Sequence, residues 1–400
     1  MIDPPDRLMR PWWEALVAET GPLALFDAHT HLGSNDPDGY SQTPEELLAG
    51  LDRAGARAVA FAMHEPDGYR AANDAVIAAA EGSAGRLVAF CRVDPHDDAP
   101  AEARRALAAG ARGIKLHPRA EGFTLAEPAV REVVALAAER RLAVLIHAGR
   151  GIPALGRDAV ALAAEFPDAR LILAHAAVSD LAWLWRVMPE HPNLFIDSSW
   201  WNPGDMMALF ELVAPGQILW ASDSPYTQPL TAATLHMRFA LQAGLGPEAL
   251  RLIAGAQLER VLSGAEPASA PAGAGEAEPL DPLLERIVAH LVTAVGAMVS
   301  GGDPREQLAL ARLACAVEEG PRAPLCGAVL ELIELAGRAL PADDDDERRF
   351  GSAARLVVFA LTVARTPAAP LPALPEAPAP TREQAEPDER ADRGPGAGHA

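Results

Sequence analysis

Four hundred residues exceed one small domain. Half are apolar and 5% aromatic, with 32 Gly and 36 Pro, the composition of a globular chain with Pro-rich stretches. A net charge of −21 leaves no basic face for phosphate contacts and argues against a nucleic-acid partner.

Cys91, Cys315 and Cys326 make neither a disulfide framework nor a CxxC zinc pair, which fits a reducing cytoplasm. The first thirteen residues carry Asp, Pro and Arg where a signal peptide needs an apolar core. No apolar run approaches the roughly 20 residues of a membrane span, so a soluble cytoplasmic protein without a membrane partner is expected. Of the 34 basic residues, every one but Lys115 is arginine. Under a coding bias that turns lysine into arginine, the survivor marks a position where arginine does not serve, unless it survives by chance.

Through residue 264 one pattern repeats: a short run of Val, Ile, Leu and Ala, a polar cluster, then helical periodicity. The runs are 23–27, 58–63, 87–92, 113–116, 143–146, 171–174, 194–197 and 218–221. Near-continuous apolar runs are the mark of parallel strands covered on both faces. Thr43, Pro44, Glu45 and Glu46 supply a cap, a first-turn proline and two acids ahead of one helix, and 127–141 and 178–188 carry apolar residues at helical spacing. Eight such units predict an α/β protein, a (β/α)8 TIM barrel over residues 1–264. A doubly wound open sheet is the structural alternative, but no GxGxxG follows the first strand. Residues 265–280 read as a linker and 281–365 as a helical bundle with helices at 283–299, 304–319, 323–340 and 347–364. Residues 366–400 read as a disordered tail.

Barrel enzymes place their chemistry at the C-terminal ends of the strands. The first strand ends in Asp27-Ala28-His29-Thr30-His31, where His29 and His31, two apart, share a face. His147 ends the fifth run, His175 the sixth, and the eighth leads into Ser222-Asp223-Ser224. A lone HxH is weak, and His147 alone reads as a core histidine. Four histidines and a carboxylate at strand ends point instead to a divalent metal, with Zn²⁺ first and one or two ions.

These segments resemble the amidohydrolase superfamily, in its amidohydrolase-related branch with aminocarboxymuconate-semialdehyde decarboxylase-like enzymes. The resemblance runs from about Leu23 to Leu262 on "FDAHTHLG", "GIKLHP", "VLIHAG", "LILAHA", "NLFIDSSW", "ILWASDSP" and "IAGAQLERVL". Gln257 stands where the closing motif usually has Asn. The resemblance implies that His29, His31, His147 and Asp223 hold the metal, with His175 a second-site ligand or a catalytic histidine. It also implies that Asp223 shuttles a proton between water and leaving group. Lys115 would either be carboxylated to bridge two metals, which arginine cannot do, or meet a substrate carboxylate as a point charge.

On the rim, Arg119, His117, Trp200, Trp201 and Tyr226 are candidate substrate contacts, with His64, Glu65, Arg92 and Asp94 as further lining and Asp197 as a supporting hydrogen-bond partner. The turn-rich loop 33–43 is a candidate lid, and 149–151 a second rim loop. The expected activity is hydrolysis of an amide, ester or lactone of a small acidic compound. A metal-dependent decarboxylase is the alternative, and an inactive barrel serving as scaffold for an interaction module stands as a reading of another class. The small-molecule substrate is the expected partner, with a homo-oligomer a further expectation.

Overall fold

The computed structural model describes residues 4–152, 154–270, 280–340 and 351–372. Most of the expected linker, the acidic run 343–346 and the tail beyond residue 372 lie outside the described residues.

Eight parallel strands build the barrel: β1 (Phe26–Leu32), β2 (Arg57–Ala62), β3 (Leu87–Ala89 and Cys91–Arg92, interrupted at Phe90), β4 (Gly113–Leu116), β5 (Ala143–Ile146), β6 (Arg170–Leu173), β7 (Leu194–Asp197) and β8 (Ile218–Leu219). The first half of β3 pairs with β2 and the second half with β4. The ring closes between β8 and β1, where Ala28 N donates to Trp220 O at 3.0 Å and His31 N to Ser224 O at 2.8 Å. β1 starts three residues after the start of the expected run and reaches past its end to Leu32, because it carries the polar His29, Thr30 and His31 into the barrel mouth. Apolarity alone therefore ends that strand too early.

The barrel interior is filled by Phe26, Val59, Phe61, Phe90, Leu145, Ile172, Phe195 and Leu219, and Leu258 and Val261 from the closing helix Gln257–Leu262 join this cluster. A larger apolar layer lies between strands and helices. The helix Pro44–Ala54 starts as expected: Glu46 N donates to Thr43 Oγ1, Thr43 N donates to Glu46 Oε2, and Gly55 closes the helix at φ 65°.

A helix at Pro4–Thr20 was not expected; its buried Met9, Trp12, Trp13 and Leu16 recur at helical spacing. It packs on the last barrel helix, Pro229–Gln242. Beyond residue 280 lie the helices Pro282–Val299, Arg305–Ala314, Ala323–Ala339 and Ser352–Arg365. The second ends five residues before its expected end at 319, with Cys315 as its C-cap. By length and composition Pro282–Val299, at a mean hydropathy of 1.5, is apolar enough to cross a membrane, which corrects the expectation that no run comes near this length. Its Leu284, Ile287, Leu291 and Val295 are buried, and it packs against Ser352–Arg365 and Arg305–Ala314.

Ser352–Arg365 also packs on Pro229–Gln242. Arg238 of the barrel helix is fully buried and donates to Thr366 Oγ1 (3.1 Å), Thr366 O (3.2 Å) and Pro370 O (2.6 Å). Trp12 and Phe359 meet edge to face at 4.9 Å. N-terminal helix, barrel and C-terminal helix are thus one packed block.

Candidate active site

The C-terminal mouth of the barrel gathers the expected histidines. A register shift between Asp27 and Thr30 in the β1–β2 ladder lets Ala28 remain in the barrel core while His29 and His31 both turn inward. His29 Nε2 lies 3.2 Å from His31 Nε2 and 3.2 Å from Asp223 Oδ1, and His31 Nε2 lies 2.9 Å from the same oxygen. These three residues form the group able to hold a metal ion among the described residues.

Asp223 stands at φ 60°, a left-handed conformation rare outside glycine. The alternation of β6, with Ile172 and Ala174 in the interior, puts Ala176 next inward rather than His175. Three successive residues, His175, Ala176 and Ala177, at φ 58°, 55° and 46° bring the imidazole into the mouth instead. Strain of this kind, about 1–3 kcal/mol per residue, concentrates where a functional group must be aimed.

A second row of hydrogen bonds fixes the rings. His29 Nδ1 donates to Asp197 Oδ2 at 2.8 Å, which leaves its Nε2 lone pair for the cluster. Asp197 Oδ1 accepts from His175 N and Ser199 N, both at 3.0 Å, and from the Ser199 hydroxyl. His175 Nδ1 donates to Ser199 O at 3.0 Å, and its Nε2 takes the proton of His147 Nδ1 at 2.9 Å. His147 is not part of the tight group. Its Nε2 is buried without a hydrogen-bond partner among the described residues, so this chain of bonds leaves a lone pair free. A Cβ at position 149 would lie 2.7 Å from that nitrogen, so Gly149 allows the loop to pass so close.

Burial holds His29, His147 and His117 well below the usual histidine range and lowers His31. Burial would raise Asp223, but the imidazoles of His29, His31 and His175 outweigh it and keep its carboxyl well below the ordinary range. Neutral imidazoles and an ionised carboxylate are the donor set that a divalent cation requires, so the residues present fit such an ion.

Lys115 on β4 is wholly buried, with Nζ 3.5 Å from His29 Nε2 and 4.7 Å from the Phe61 ring centre. Burial, reinforced by Arg92, pulls the amine down to about 7. Arg92 pairs with Glu121 at 2.6 Å beneath the rim. His117 caps the short helix Pro118–Glu121 through Nδ1 and stacks on His147 at 3.8 Å, a supporting placement. Tyr226 packs edge-on against His31 and donates to Asp36 of the loop 33–43. Arg119 is exposed on the rim. Trp200 lies 6.4 Å from His175 and 6.2 Å from Trp201, ring centre to ring centre. Asp94 lies away from this mouth, with His96 3.1 Å from it.

Two joined cavities open here. One, of about 430 Å³, is lined by His31, Arg92, His117, Arg119 and Tyr226 among others. The second, of about 260 Å³, shares Asp223, His175 and His147 with it and is also lined by Trp200, Trp201 and, from the C-terminal helix, Arg355 and Val358.

The sequence profile described as Amidohydrolase matches residues 26–256. The chain belongs to the amidohydrolase family. It is accordingly an enzyme of that superfamily, whose members usually bind a divalent metal, and the cluster of His29, His31 and Asp223 is the candidate for it. No curated protein matches the chain in sequence. Among solved structures it is similar to 5-carboxyvanillate decarboxylase from Sphingomonas paucimobilis, at 17% identity over 60% of this chain and 99% of that one, TM-score 0.47. It is also similar to 2,6-dihydroxybenzoate decarboxylase from Rhizobium, at 14% identity over 60% of this chain and 99% of that one, TM-score 0.48. A third is a probable 2-pyrone-4,6-dicarboxylic acid hydrolase from Acinetobacter baumannii, at 16% identity over 60% and 100%, TM-score 0.44.

Asp36, Ser199 and Arg355 belong to the site but were not singled out in the sequence. Asp36 sits in the loop read as a lid, and Ser199 follows Asp197 at strand spacing. Arg355 lies in a helix far outside the barrel segment, where no barrel rule points.

Proposed function

We propose that this amidohydrolase hydrolyses an amide, ester or lactone of a small anionic compound, with Zn²⁺ as the first choice of metal. The observation that carries the reading is Asp223. Its Oδ1 is engaged by two imidazoles, while the side chain remains partly open to the cavity with Oδ2 3.9 Å from His175 Nδ1. His29, His31, Asp223 and His147 Nε2 would hold the cation, which when bound polarises the scissile carbonyl and acidifies the attacking water. Asp223 Oδ2 accepts the proton of that water and returns it to the leaving group. Asp197 fixes the tautomer of His29, and His175 fixes that of His147. Arg119, exposed at the rim, meets an anionic group of the substrate. Lys115 serves either as a metal-bridging carbamate or as a cationic contact.

A second reading, decarboxylation of an aromatic or unsaturated acid, is favoured by the wall of Trp200 and Trp201 beside His175. Release of CO₂ without consumption of water identifies it.

The test is metal analysis of purified protein, then a screen of lactones, amides and carboxylated aromatics. Turnover is expected to disappear on chelation, return with Zn²⁺, and fall about 100-fold or more in Asp223→Asn. Turnover that survives chelation and Asp223→Asn sinks the metal-dependent reading. Two ions per chain, reduced in Lys115→Arg, support the bridge, and one ion per chain removes it.

A further inference from the structure

The helix Ser352–Arg365 reaches the mouth of the barrel. Arg355 and Val358 line the second cavity together with Trp200, Trp201, Thr231 and Leu235. Arg355 Nε is buried without a hydrogen-bond partner among the described residues. One other buried polar atom in the same cavity shares that condition, Thr231 Oγ1. Each buried polar group left unsatisfied calls for an explanation, and a donor pair on the wall of one cavity is explained by an acceptor that docks there.

The position of Arg355 is informative as well. It stands in the first turn of its helix, where a cation faces the positive end of the helix dipole. An anion docked on the guanidinium would offset that unfavourable placement. The indoles of Trp200 and Trp201, with Leu235 and Val358, give apolar walls to the same cavity that His147, His175 and Asp223 line. The helix is held in place by Arg238 of the barrel, which bonds Thr366 and Pro370 just beyond its end, and by Phe359 against Trp12 of the N-terminal helix.

We propose that Arg355 and Thr231 form an anion subsite at the far end of the cavity. It would select substrates with an apolar or aromatic body and a carboxylate remote from the reacting group. This rests on reading the His29–His31–Asp223 cluster as the reacting centre. The selecting residue comes from the appended helix rather than from the barrel, and the carboxylate takes two guanidinium hydrogen bonds and one from the hydroxyl.

The experiment is calorimetric titration of the full chain with benzoate, isophthalate and terephthalate, in wild type, Arg355→Met and Arg355→Lys. In wild type the dicarboxylate that spans the cavity is expected to bind at least tenfold more tightly than benzoate. In Arg355→Met that advantage disappears while benzoate affinity and Tm stay unchanged, and Arg355→Lys restores part of it. The advantage persisting in Arg355→Met overturns the proposal. So does a wild type that binds neither dicarboxylate better than benzoate. A drop in Tm in Arg355→Met shows a structural role and overturns it too. The titration reads binding alone, so a protein that proves to be a decarboxylase leaves this result standing. Loss of the dicarboxylate advantage leaves the assignment of the reaction untouched.

Discussion

His236 sits wholly buried behind the site. Its Nδ1 accepts the Ser198 hydroxyl at 3.0 Å, and its Nε2 donates to Trp200 O at 3.2 Å. Burial pulls it from the usual 6.5 down to about 4, against the opposing pull of the Trp200 carbonyl. The unfolded chain therefore binds a proton between pH 6.5 and 4 that the fold refuses, and stability falls as pH falls through that window. The shift corresponds to roughly 3 kcal/mol at the acid end. Denaturant unfolding at pH 7.5 and 4.5 in wild type and His236→Gln reads it: the wild type should lose more, by up to about that amount. Asp27, raised by burial to about 7, works in the opposite direction, but it is present in both proteins and cancels in the difference. Equal acid losses in the two would mean that His236 does not carry the effect. At this scale the sequence was informative where the pattern is local. Two-residue spacing placed His29 and His31 together, and a single lysine among arginines marked Lys115. His175 was named for its place at a strand end, yet the left-handed turn that aims it leaves no trace in apolar periodicity. Arg355 was invisible because its meaning depends on where a distant helix lands.

The helix Pro44–Ala54 shows how far an element can be read before it is seen. Thr43, Pro44 and Glu46 announce its start, and the reciprocal bonds of Thr43 and Glu46 satisfy two backbone donors there. The preceding loop is closed onto the barrel mouth by paired bonds between Gly33 and Gln42. Thr43→Ala should lower stability by about 1 kcal/mol in denaturant unfolding, and Thr43→Ser should recover most of it. An unchanged unfolding midpoint would leave the cap without energetic weight. Strands were legible because both faces are covered, so they read as unbroken apolar runs. Their ends were not, since the residues that leave β1 for the site are polar by necessity. Pro4–Thr20 was legible in principle, with Met9, Trp12, Trp13 and Leu16 on one face, but Pro11 within it and the Asp and Arg of its first turns mask the pattern.

At the scale of the molecule the appended helices matter because one of them is tied to the barrel. Arg238 is fully buried without a carboxylate partner among the described residues. Burial pulls its guanidinium down to about 9, still high enough to keep it charged at neutral pH. That charge is satisfied by two carbonyls and a hydroxyl of the segment after Arg365 and by the face of Trp12, 5.1 Å away. N-terminal helix, last barrel helix and C-terminal helix therefore meet on one side chain. Removing it strands the Thr366 and Pro370 carbonyls and opens a cavity beside Trp12, whereas Arg238→Lys keeps a charge but cannot reach all three acceptors. Arg238→Ala should cost about 3 kcal/mol or more in stability. The loss should be accompanied by faster proteolysis within residues 351–372 than within the barrel strands. If the anion subsite is as proposed, the dicarboxylate advantage should fall with it although Arg355 is intact, because the helix that carries the guanidinium is no longer fixed. Uniform destabilisation, with cleavage spread evenly over the chain, would show that Arg238 supports the barrel alone and does not link it to the C-terminal helix.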